Sequence, residues 1–308
     1  MKKRMDMRAS SRNDLIFYIL GIAIPLIQFC IFYVYLNLDL FATAFREYTF
    51  VDGHMQASFV WFKNFKNVFR MFLENENMMD AFWRGLWLYG LGLLRFPFEV
   101  LVAYYVARKF PFGRGFQILL FVPGLLSGVV MALTYKYFLC ECVPELVRLI
   151  TGKEILSLLD SGNSTVTFIS IWAYGFFVGV TGNILLVGGA IMNVGESVAE
   201  AASIDGASET RQFFSIYVPI IFPTLITFII MGMAGVFLAD IGLYPYFGEY
   251  APQEIWTLGY YFTMRTQTAS AYIDYPFLSA FSWIITFATI PVVFGGRWIL
   301  NKINERFE

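Results

Sequence analysis

The chain is poor in the residues that do chemistry. Among 308 residues it has one histidine, His54, and three cysteines. No recurring Cys/His spacing supplies a metal site or a disulfide framework. Charge is scarce too: Asp, Glu, Lys and Arg make up 15% of the chain, where a water-soluble domain carries about 25%. The net charge of −1 and pI near 6.0 leave no basic field to displace counterions from phosphates, which removes nucleic acid as a partner. What is abundant is apolar. Hydrophobic residues reach 58%, the mean hydropathy is +0.61, and 34 Phe, 18 Tyr and 7 Trp are present. Such aromatics anchor at lipid headgroups and would equally suit stacking on sugar rings. This is the composition of a membrane protein.

A backbone crossing ~30 Å of hydrocarbon must satisfy its own polar groups, so each crossing needs about 20 apolar residues in a helix. Six stretches meet that requirement: 15–38, 82–107, 116–138, 166–191, 219–243 and 275–298. The sequence therefore predicts an all-α integral membrane protein of six transmembrane helices. No low-complexity linker interrupts it, so residues 1–308 read as a single domain. The first stretch follows Lys2, Lys3, Arg4, Arg8 and Arg12. It is too long for the ~7–15-residue apolar core of a signal peptide and is expected to be retained. With the N-terminus inside, the inner connections carry 11 Lys and Arg in 59 residues and the outer ones 7 in 101. This bias predicts that both termini are cytoplasmic. Within 59–72, Phe62, Phe65, Phe69 and Phe72 recur opposite Lys63, Lys66, Asn67 and Arg70, predicting an amphipathic helix in the membrane interface.

Between the fourth and fifth stretches, residues 194–218 turn polar and small. A short helix is expected to end at Gly206, in the left-handed conformation, and a second to be capped by Ser208 with Glu209 in its first turn. Ala199, Ala201 and Ala202 give the first helix little side-chain bulk. Another protein's backbone can approach such a helix closely.

Glu200-Ala201-Ala202, then Gly206, Ile216 and Val218-Pro219 resemble the EAA loop of the permease subunits of binding-protein-dependent ABC importers. Asp205-Gly206-Ala207, Pro223, the segment Leu120 to Val130 and Ser279-Ala280 resemble the carbohydrate branch of that family. Gly195, where proline is frequent, and Val218, where leucine is usual, depart from the pattern without altering the small-faced helix. The resemblance implies a type I ABC importer permease fold in a bacterial or archaeal plasma membrane. It implies four kinds of partner: a second permease subunit, expected to be a different chain; a cytoplasmic ATPase dimer; an extracellular solute-binding protein; and a sugar or oligosaccharide substrate. The loop would be the coupling helix seated on the ATPase. Glu200 would contact the ATPase, Ala201 and Ala202 would form the packing face, Gly206 would form the turn, and Asp205 and Ala207 would flank it. No cofactor is expected on this chain, because ATP and Mg²⁺ would be used by the partner. Indeed, the Gly152-Lys153 pair lacks the glycine, at Val147, and the Ser or Thr, at Glu154, that a phosphate loop requires. The chain is not expected to be an enzyme.

Arg95 falls mid-span, where an isolated Arg costs roughly 2.5–3.5 kcal/mol, and Glu99 lies one helical turn on, within pairing reach. Two readings stand. The pair faces the translocation cavity or subunit interface, or it is tucked into the bundle to fix register. Trp172, Tyr174, Asn183, Asp240 and Tyr244 are candidates for the substrate path, with interhelical packing as the alternative role. An ion-coupled secondary transporter is the rival class. It would need broken helices and midplane ionisable groups, and only Arg95 and Glu99 fit that description. A membrane-embedded enzyme would need convergent catalytic groups that the composition does not supply.

Overall fold

The first apolar stretch forms one unbroken helical run: α1 (Arg12–Phe29), a π-helical turn (Cys30–Tyr35) and α2 (Leu36–Thr43). The structure is a computed structural model describing residues 12–51, 54–108, 110–159, 162–240, 242–269 and 273–306. These group into two compact units, one of residues up to Val68 with 269–283, the other of 69–268 with 284 onward.

In the first unit, the most apolar part of the initial run has none of its residues buried. A helix that is apolar all round needs lipid or another protein chain as its solvent. A hairpin that the hydropathy pattern did not predict follows. Strands β1 (Arg46–Val51) and β2 (His54–Phe59) pair antiparallel from Arg46↔Phe59 to Val51↔His54. The expected amphipathic helix follows the hairpin as α3 (Lys63–Glu74). Of the recurring phenylalanines, Phe69 on α3 and Phe62 just before it are more than half exposed, Phe65 and Phe72 are half-buried, and Asn64 and Val68 are buried. Asn64 Nδ2 explains that orientation: it donates to the carbonyls of Ala44 and Arg46, at 2.9 and 2.8 Å.

The second unit is built on α4 (Glu76–Ala107). There follow α5 (Gly113–Leu125), α6 (Gly128–Tyr137), α7 (Val143–Thr151) and α8 (Ser164–Met192). The predicted span 116–138 is thus not one helix. Leu126 and Ser127 are extended, with ψ of 149° and 133°, between Pro123-Gly124 and Gly128. Proline removes one ladder donor and glycine is a weak helix former, so the break falls where helical propensity is lowest. At 1.5 Å per residue α5, with 13 residues, does not span ~30 Å, whereas α6 runs on through a π-helical turn (Phe138–Cys142) into α7, a longer stretch that carries Lys136, Glu141, Glu145 and Arg148.

Next come α9 (Glu196–Ile204), α10 (Glu209–Gln212), a π-helical turn (Phe213–Tyr217) and α11 (Val218–Met233). The predicted span 219–243 is displaced. The helical run begins at Glu209, ends at Met233, and gives way to a 3₁₀ turn (Val236–Leu238) before α12 (Leu243–Phe247). Gly232, Gly235 and Gly242 supply the break, because apolar content alone does not make a helix. Helices α13 (Leu258–Thr268) and α14 (Tyr275–Asn304) complete the described chain. Among the described residues, five helical runs are long and apolar enough to cross a membrane: Phe17–Thr43, Glu76–Ala107, Ser164–Met192, Glu209–Met233 and Tyr275–Asn304.

The α4–α8 pair is the main helix contact of this unit. Val180, Ile184, Val187 and Ile191 recur on one face of α8 and pack with Val100, Ala103 and Tyr104 of α4. A second cluster gathers Ile171, Leu243, Tyr246, Ile255 and Tyr260.

Candidate functional site

Two polar assemblies stand on this frame. The first lies between α4 and α8. Arg95 Nε is 2.5 Å from Glu99 Oε1, an ion pair without hydrogen-bond alignment. Asn183 Nδ2 donates to Glu99 Oε2 at 3.0 Å, and an Arg95 terminal nitrogen reaches the Gly175 carbonyl at 3.4 Å. Glu99 is fully buried, whereas Arg95 keeps 29% of its side chain exposed. The guanidinium sits where a Cβ at residue 179 would be, so Gly179 is what admits it. A cavity of about 390 Å³ is lined by Arg95, Trp172, Tyr174, Gly179 and Asp240. Another of about 420 Å³ is lined by Arg95, Glu99, Asn183 and Phe228. Arg95 belongs to both walls.

The structure divides the five substrate-path candidates. Trp172, Tyr174 and Asp240 share one cavity with Arg95, and Asn183 lines the other while holding Glu99. Tyr244 lines neither: it packs on the second core cluster, because Gly242, at φ 75°, starts α12 in a new direction. Asp240 is not on the fifth helix but in the irregular stretch after it, where its carboxylate accepts from the Leu243 amide at 3.4 Å.

The second assembly is the loop at 194–218. Helix α9 ends with Asp205 at the C-cap and Gly206 at φ 76°. The Ala207 amide donates to the Ala202 carbonyl at 2.9 Å, and the Gly206 amide to Ser203 at 3.1 Å. That paired closure satisfies the last carbonyls and requires a left-handed residue. Ser208 caps α10, its Oγ accepting from the Arg211 amide at 3.4 Å. One expectation about the packing face is corrected. Ala202, only 8% exposed, lies inward on the same side as Ala199, three residues earlier. Glu200, Ala201 and Asp205 are exposed, and Ile204 is 86% exposed.

Sequence reasoning missed the residues that hold this loop. Tyr104 OH donates to Glu209 Oε2 at 2.8 Å, and Arg108 donates to Glu209 Oε1 at 3.1 Å. Gln212, buried, donates from Nε2 to Ser203 Oγ at 3.1 Å and to the Ala207 carbonyl at 3.0 Å. Arg108 also lies 5.6 Å from the centre of the Tyr217 ring. Burial opposes its charge, but Tyr217 and the Glu209 carboxylate outweigh that and raise its pKa. The only sequence hint was an acidic residue in a first turn, which reads as ordinary dipole compensation.

The model of the family "Binding-protein-dependent transport system inner membrane component" matches residues 99–308. The chain belongs to this family. As an inner membrane component it is a multi-pass permease subunit and not the ATPase. Its relatives include the probable ABC transporter permease protein MG188 of Mycoplasma genitalium, 32% identical over 166 residues, half of this chain and 49% of that protein. The chain thus spans about half the length of that relative. Protein LplB of Bacillus subtilis is 25% identical over 98% of this chain and 94% of its own length. The arabinooligosaccharides transport system permease protein AraP of the same organism is 24% identical over 68% of this chain and 66% of its own. Among solved structures, a chain of a bacterial ABC transporter involved in the import of the acidic polysaccharide alginate superposes with a TM-score of 0.76. It is 18% identical, and the match covers 95% of this chain and 97% of that one. At that identity the likeness establishes the permease fold.

Proposed function

We propose that this permease subunit imports a sugar or oligosaccharide in an ATP-driven ABC importer. Six crossings with both termini cytoplasmic would carry it through the membrane as one permease domain, the third crossing being made jointly by α5 and α6. An extracellular binding protein delivers the solute, a second permease subunit completes the pathway, and a cytoplasmic ATPase dimer supplies the work. Helix α9 is the coupling element. Its outward face, Glu200, Ala201 and Ile204, seats on the ATPase, and ATP-driven closure moves it to open the cavity alternately to each side.

The observation that carries this reading is α9 itself. It is a short helix closed by a glycine turn and anchored on Ala199 and Ala202, with Ile204 left almost fully exposed and Val198 of the same helix 41% exposed. Exposed apolar side chains on such a knob are what a protein contact would cover. The sugar assignment rests on the cavity shared by Trp172, Tyr174, Arg95 and Asp240, which joins ring faces to hydrogen-bonding groups. The names of the arabinooligosaccharide and alginate transporters accord with it.

The test is co-expression of the complete transporter with Ala201→Trp. Membrane insertion is expected to persist, while co-purification of the ATPase and solute uptake both fall at least about tenfold, as truncating or blocking a central interface contact does. Undiminished uptake in this variant, or uptake that continues after the ATPase is inactivated, would instead favour an ion-driven carrier.

A further inference from the structure

Helix α9 is joined by the chain itself to α8 on one side and to α10 and α11 on the other, so any displacement of α9 reaches those helices covalently. Helix α4 has no such link. Its end at Tyr104 and Arg108 lies 105 and 101 residues from Glu209 in sequence, yet both side chains donate to the Glu209 carboxylate, at 2.8 and 3.1 Å. On the loop side, Gln212 is buried and bonded to Ser203 in the last turn of α9 and to Ala207 in the turn beyond. Beneath these bonds the Tyr104 ring packs against Phe213 and Tyr217, with centroids 4.9 and 5.0 Å apart. Packed rings resist compression, and charge-assisted hydrogen bonds resist separation. The contact can therefore transmit both push and pull.

Resting on the coupling role assigned to α9, we propose that Glu209 is the joint that passes displacement of α9 to α4, and through α4 to the Arg95–Glu99 pair at the cavity. Arg108 and Arg95 stand on the same helix, about 20 Å apart along its axis at 1.5 Å per residue. The interval from Arg108 to Glu99 contains no proline, the nearest being Pro97, so this part of α4 can move as a stiff rod. Glu209, Tyr104 and Arg108 are positioning residues, acting on the pathway only through α4.

The test uses the whole transporter in proteoliposomes, with its ATPase and binding protein, and reads solute uptake and ATP hydrolysis together. Glu209→Ala is expected to lower uptake per ATP about tenfold, and Tyr104→Phe, which loses one hydroxyl, about threefold, in the range over which coupling residues act. ATPase co-purification is expected to be unchanged in both. Exchanging the charges, Arg108→Glu with Glu209→Arg, is expected to recover most of the lost ratio, which a defect of folding would not allow. Uptake per ATP within about twofold of the unsubstituted protein in Glu209→Ala would overturn the proposal. The underlying reading fails differently. If α9 is not the docking element, Ala201→Trp keeps its ATPase and its uptake. If only the joint is wrong, Ala201→Trp is defective while Glu209→Ala couples normally.

Discussion

Gly179 of α8 lies directly against the Arg95 guanidinium of α4, and the missing side chain is what gives the cation room. In Gly179→Ala the new methyl must displace the end of a flexible side chain, so the Arg95 guanidinium is expected to shift toward the cavity while staying within reach of Glu99 and while the helices stay packed. Uptake should change several-fold, with thermal stability reduced by about 1–3 kcal/mol, the cost of overpacking. Gly182→Ala, where nothing lies within 4 Å of the added carbon, should leave uptake intact and serve as control. A large loss of stability in Gly179→Ala would show that Arg95 cannot yield.

The Arg95–Glu99 pair invites a double-mutant cycle. Removing Arg95 strands the fully buried Glu99, so Arg95→Met alone should destabilise by about 3–5 kcal/mol, Glu99→Leu, which leaves an arginine 29% exposed, should cost less, and the double variant should recover most of the loss. Thermal unfolding in detergent measures the cycle, and uptake by the stable double variant measures function. Normal uptake there would assign the pair to register alone; impaired uptake would assign it to the pathway.

Gly206 is held at φ 76° by the closure of α9. Gly206→Val puts a β-branched side chain into a region that costs roughly 1–3 kcal/mol. The chain should still insert, but the ATPase should co-purify poorly and uptake should fall. Equal co-purification would show that the turn does not set the geometry of the knob.

Trp172 and Tyr244 separate pathway from packing. Trp172→Ala is expected to raise the KM for uptake about three- to tenfold, the loss of one stacking plane. Tyr244→Phe, outside both cavities, should leave KM unchanged. Matching shifts in the two variants would remove the stacking argument.

What could be read from the sequence was local. Gly206 and Ser208 announce a helix stop and start because a left-handed turn and an N-cap are each specified within a few residues, and both stand where expected. Hydropathy located the first, second, fourth and sixth spans for the same reason. It misplaced the fifth and did not see the break in the third, because apolar content does not report where glycine and proline interrupt a helix. Nor could alanine spacing say which face of α9 turns inward: Ala201 and Ala202 are alike as residues, and only packing against the bundle distinguishes them. Glu209 was least legible, since its partners lie a hundred residues upstream and no short pattern encodes such a meeting.

The interruption at Leu126 and Ser127 carries a mechanical corollary. A continuous rod in the wall of a pore tilts as a unit, so an opening at one mouth forces a narrowing at the other. Two shorter rods joined by extended residues are released from that lever: each can swivel through a few backbone torsions without breaking any of its own rungs. Movement of one half thus need not carry the other with it.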